Sequence, residues 1–138
     1  MKLSPILLFF FLAKVSYPQG VFGPDVAFAS NTAINAAPVA QLQAAFPAWP
    51  LDVVFEVVNG QADKRAAKTK FQNAWLPNGT QWGYIIDYAD YTYLEWDPAV
   101  GAWYKDTWYT SQINAGGIVP GFVVNLDSMA DDMDNAFS

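Results

Sequence analysis

The chain has 138 residues, enough for one domain, and is 53% hydrophobic, 17% aromatic and only 14% charged, a composition that excludes a disordered polymer. It contains no Cys and no His, which excludes thiol nucleophiles, imidazole-based triads, Cys- or His-ligated zinc and disulfide staples. Seven Lys and Arg against thirteen Asp and Glu leave a net charge of −6. That balance argues against nucleic acid and against anionic membranes as partners, because phosphate binding is driven by basic clusters that release counterions.

The first segment, MKLSPILLFFFLAKVSYPQG, carries Lys2 and then an apolar run from Leu3 to Leu12 broken only by Ser4 and Pro5. It is shorter than the ~20 residues a spanning helix needs but suits the core of a signal peptide. Residues 1–16 are accordingly assigned to a signal peptide, with cleavage anywhere in 13–29, and the protein is expected to be secreted. Membrane attachment follows only if this segment is retained. Residues 17–50 form a Pro/Ala-rich arm, with Val39, Leu42 and Phe46 at helical spacing before Pro47.

Leu51 to Val58, LDVVFEVV, alternates as a half-buried strand, and Asn59-Gly60 after it is a hairpin turn signal. The stretch 62–71 is ambiguous and reads as one or two helical turns before a strand that begins near Thr69. Within it Lys64-Arg65 is a candidate dibasic processing site, although a solvated basic stretch explains the same residues. FQNAWL and QWGYIIDY then flank a turn at Pro77-Asn78-Gly79-Thr80, where Asn78 also satisfies the N-x-[ST] sequon for glycosylation. Strands follow at Tyr91 to Trp96 and Ala102 to Tyr109, joined by the Asp97–Gly101 loop, with a last strand over Ile118 to Leu126. The acidic tail, 127–138, is either a frayed helix or disordered.

These elements predict a mainly β fold over 51–126. It is a small antiparallel meander, barrel- or sandwich-like, with one or two short helices and the N-terminal arm. Placing Trp96 opposite Trp103 sets Leu94 against Lys105 and Thr92 against Thr107. Trp96 and Trp103 then share the core face. Tyr91, Tyr93, Glu95, Tyr104, Asp106 and Trp108 lie on the other, where rings alternate with carboxylates as a surface for carbohydrate, a protein partner or a second copy would require, unless a closed barrel or two-sheet sandwich buries that face as core.

The carboxylates Asp87, Asp90, Glu95, Asp97 and Asp106 cluster closely enough to raise a carboxylate-based hydrolase as an alternative, yet Asp97 is explained by its turn. Asp127, Asp131, Asp132 and Asp134 have the oxygen ligands calcium takes, but the EF-hand spacing is absent. The expectation is a secreted, non-catalytic binding protein without cofactor or metal. A self-assembling extracellular subunit is the second reading.

Overall fold

The computed structural model describes residues 7–11, 14–30, 36, 50–109, 112–114 and 123–137. The strands of the main sheet are β1 (Leu7–Phe11), β4 (Val26–Ser30), β5 (Val53–Val58), β6 (Trp82–Asp87), β7 (Thr92–Asp97) and β8 (Ala102–Thr107), hydrogen-bonded in the order β1-β4-β5-β6-β7-β8. Two small antiparallel ribbons stand apart, β2 (Val15–Tyr17) with β3 (Gly20–Phe22), and β9 (Gln112–Asn114) with β10 (Val123–Asn125). Two helices complete the fold, α1 (Gln61–Lys70) between β5 and β6 and α2 (Leu126–Phe137) at the C-terminal end.

The mainly β expectation holds, and β6, β7 and β8 form the expected antiparallel meander. The pairing of Trp96 with Trp103, Leu94 with Lys105 and Thr92 with Thr107 is the register that alternation predicts. Gly101 occupies the left-handed region at φ 72° and donates its N–H to the Asp97 carbonyl at 2.8 Å, closing the loop.

The departure lies at Asn59-Gly60. Instead of a hairpin, Gly60 opens α1, and β5 pairs with β6 in parallel, Val53 beside Trp82 through to Val58 beside Asp87. A parallel pair needs a crossover, usually helical. The same crossover explains why β5 is not half-buried. Of its six residues only Val57 is exposed, because helices cover both faces of the sheet there. FQNAWL is likewise no strand: α1 continues through a π-helical turn, Phe71–Trp75, into a 3-10 turn, Leu76–Asn78.

The core divides at the sheet. On one face the π-helical turn and the β2–β3 ribbon pack through Val15, Tyr17, Ala27, Leu51, Val54, Phe71, Trp75 and Trp96, and α1 packs beside them through Ala67 on Val58, Ile85 and Leu94. On the other, α2 and β9 pack with Phe28, Val53, Phe55, Tyr84, Ile86, Tyr93 and Trp108. The acidic tail is therefore a helix, held by Leu126 and Ala130. Segment 7–11, read above as part of a signal peptide, pairs with β4, and Val15 and Tyr17 are buried. The expected helix near 38–46 and most of the strand expected over 118–126 fall outside the described residues.

Candidate active site

The site forms where β4 enters the sheet. Val26 pairs with Phe55 and Ala27 with Val54, so continuing the ladder by one residue sets Asp25 opposite Glu56. Directly opposed residues have Cβ atoms about 4.5–5.5 Å apart, on one face of the sheet. That face carries Val54 and Val58 and lies beneath α1. Asp25 is exposed, and its Oδ2 accepts the Val57 N–H at 2.6 Å, which holds the carboxylate at the strand edge.

Glu56 is 9% exposed, a lone carboxylate in an otherwise apolar strand. Lys70, at the end of α1, places Nζ 3.1 Å from Glu56 Oε1. The contact is a largely buried ion pair, with the Glu56 carboxylate beneath the end of α1. Burial pushes the Glu56 carboxyl above its ordinary range; Lys70 opposes the shift and the Asp25 charge adds to it. The Lys70 ammonium also lies 5.8 Å from the centre of the Trp75 ring. Beside these groups a cavity of about 230 Å³ is lined by Glu56, Val57, Val58, Asp63, Ala66, Ala67 and Lys70.

The two opposed carboxylates, Asp25 and Glu56, are oxygen donors of the kind a hard divalent cation takes, and the Lys70 ammonium beside them is a cation of the protein's own for an anionic substrate. Among the described residues no three His, Asp or Glu side chains converge as a ready metal cage. The donor set is the sparser kind that leaves room for water and substrate oxygens, as magnesium sites do.

The carboxylates singled out from the sequence are engaged elsewhere. Asp87 is fully buried and forms an ion pair with Lys64 at 3.0 Å, while its Oδ1 accepts the N–H groups of Gly60 and Ala89. Burial acts to raise the Asp87 carboxyl, but those N–H donors and Lys64 outweigh it and hold it below the usual carboxylate range. Asp90 also meets Lys64, at 3.5 Å. Lys64 is thus buried in a structural pair, with its side chain withheld from a processing protease. Asp97 accepts the Ala99 N–H as a turn residue does, and Asp106 accepts that of Thr107. Glu95 bonds the Tyr84 hydroxyl, which burial and this carboxylate together push up.

The predicted aromatic surface is partly interior. Trp108 is 1% exposed and donates its ring N–H to the Thr92 carbonyl, and Tyr93 is buried beside it. Tyr91 stacks on Trp108 at 5.0 Å; Glu95 and Asp106 are half-buried, and only Tyr104 stands fully out. Asn78 donates to Gln19 and to the Ala74 carbonyl within its turn.

Asp25, Glu56 and Lys70 carried no motif recognised in the sequence. The available signal was one acidic residue inside an apolar β-run, which costs free energy unless something uses it.

No family model matches the chain, and no curated protein matches it. Among solved structures it resembles one described as a putative nuclease belonging to DUF820 from Anabaena variabilis, with a TM-score of 0.68 over 90% of this chain and 69% of that one, at 16% identity. The likeness is one of fold. It overturns the expectation of a non-catalytic binding protein working through an aromatic sheet face, since the architecture is shared with a protein described as an enzyme and α2 packs on that face. The exclusion of nucleic acid falls with it.

Proposed function

We propose that this protein is a nuclease-like hydrolase acting on phosphodiester bonds, with Asp25, Glu56 and Lys70 as its site. The observation that carries the reading is the buried Glu56 carboxylate, set opposite Asp25 and paired with Lys70 at 3.1 Å in a fold shared with the Anabaena variabilis protein. Charge buried this way is costly to maintain, and such cost collects at functional sites.

Asp25 and Glu56 would hold a divalent cation, which supplies Lewis-acid stabilisation of the charge developing on the phosphate. Lys70 would donate to a non-bridging phosphate oxygen from the end of α1, its position fixed by Glu56 and Trp75. In the reaction a water oxygen bonds to phosphorus and gives up a proton, the ester P–O bond breaks, and the leaving oxygen takes up a proton from water. The net charge of −6 does not forbid this, because Arg65, Lys68 and Lys70 sit together on α1, apart from the buried Lys64–Asp87 pair.

The test is cleavage of plasmid and linear DNA in magnesium or manganese by the wild type, Asp25→Asn, Glu56→Gln and Lys70→Ala. Each replacement should lower the rate at least 100-fold, as loss of one electrostatic group in a preorganised site does. A wild type without activity in either metal, or a Glu56→Gln protein that cuts normally, would remove the proposal.

A further inference from the structure

Building on that reading, we infer that the substrate is a DNA duplex straddling α1, with one strand at the Asp25–Glu56–Lys70 site and the other held by Arg65, Lys68 and Lys105. Three accessible cations gather on one side of the sheet. Arg65 and Lys105 are exposed and Lys68 half-buried on the α1 side, Lys105 sharing its face with Leu94 and Trp103. Asp127, Asp131, Asp132 and Asp134 are all exposed on α2, across the sheet. Arg65, Lys68 and Lys105 draw a polyanion to their own flank, although exposed Asp25, Asp63 and Asp90 share that side, and the α2 carboxylates repel it from the other.

The helix sets the two strands apart. Asp63, Ala66, Ala67 and Lys70, spaced as one helical stripe, line the cavity and turn that flank of α1 toward β5. At about 100° per residue, Arg65 and Lys68 project from the opposite flank. Lys64 lies beside them and reaches Asp87, Asp90 and Thr92, so this flank looks toward β7 and β8, where Lys105 stands. Between the flanks the exposed crest is Ala62, Ala66 and Thr69, small enough for close approach. Among the described residues Arg65 and Lys68 form no ion pair, so their charge is available.

A helix about 10–12 Å across matches the major groove of B-DNA, about 12 Å wide, whose walls are two phosphate backbones. The deep, narrow major groove of an RNA duplex does not admit it. A single strand could occupy the catalytic flank and would leave the far one empty.

The test uses the full chain and fluorescence anisotropy in EDTA with a labelled DNA duplex of about two helical turns, its single strand and the matching RNA duplex. Wild type should bind the DNA duplex most tightly. Arg65→Gln/Lys68→Gln, with an unchanged circular dichroism spectrum, should bind it roughly tenfold more weakly and lose about two from the salt-dependence slope, while single-strand affinity barely moves. An unchanged duplex affinity in that variant, or a wild type that prefers the single strand or the RNA duplex, overturns the inference. Cleavage in magnesium separates the two readings. If wild type cuts while the straddling test fails, the active site stands and the docking falls; if wild type neither binds nor cuts, both fall.

Discussion

Lys70 Nζ lies 3.1 Å from Glu56 Oε1, and the two residues reach each other because the chain leaves β5, runs the length of α1 and returns its last side chain over the strand it left. The pair joins a carboxyl pushed up by burial to the ammonium that partly restores it. Its consequences can be measured without knowing the substrate.

Glu56→Gln should stabilise the fold at neutral pH while abolishing cleavage. A carboxyl whose folded pKa is raised binds its proton more tightly in the native state than in the unfolded one. The cost of its ionisation is therefore absent below the ordinary Glu pKa and fully present above the raised value. The melting-temperature gain of Glu56→Gln should appear at pH 8 and vanish near pH 4. Wild-type activity should fall as the pH drops through the same interval, since the protonated carboxyl cannot hold a cation. An equal gain at both pH values would show that ionisation of Glu56 is not what destabilises the site.

The Lys64–Asp87 pair should behave as a structural clamp. Asp87→Asn leaves the buried Lys64 ammonium with only Asp90, at 3.5 Å, as a charge partner, and should cost about 3–5 kcal/mol in urea unfolding. Here the sign reverses. The Asp87 pKa is held low, so its contribution is present above the ordinary Asp value and is lost as pH falls through the depressed one. Replacing both partners by apolar residues of similar size should recover most of the loss. Failure of that recovery would point to the N–H groups of Gly60 and Ala89 as the stronger attachment.

Trp108 and Tyr104 separate interior from surface on one sheet face. Trp108→Ala removes a ring that is 1% exposed and should cost about 3–5 kcal/mol. Tyr104→Ala, at a residue 62% exposed, should change stability by less than about 0.5 kcal/mol. Comparable losses from the two would mean that α2 does not cover this face as described.

Two glycines carry distinct constraints. A Cβ on Gly83 would lie 2.3 Å from the Phe71 ring, which is also packed against Trp96 and Trp103, so Gly83→Ala should cost about 1–3 kcal/mol by overpacking. Gly101 has open space around it but a φ of 72°, and Gly101→Val should cost about 1 kcal/mol or more through backbone strain alone. Differential scanning calorimetry distinguishes them from a neutral surface change. A Gly83→Ala protein as stable as wild type would require the Phe71 ring to move aside without loss.

The β7–β8 hairpin was legible because everything that determines it is local. Period-two alternation assigns the faces, and Asp97, Pro98 and Gly101 set the loop that fixes the register. The mainly β class and β6 were legible for the same reason. Which face would be covered was not, since Trp96 and Trp108 are equally large, and only the return of α2 across the sheet buries Trp108 completely. The parallel β5–β6 pair was hidden because Asn59-Gly60 suits either a hairpin or the start of a helix, and local chemistry does not choose between them. The site was least legible of all. Asp25, Glu56 and Lys70 meet only when β4 pairs with β5 and α1 folds back over it. The sequence determined the elements and the hairpin register by itself. Only tertiary structure assembled the three charged groups, because their proximity depends on pairings between segments far apart in the chain.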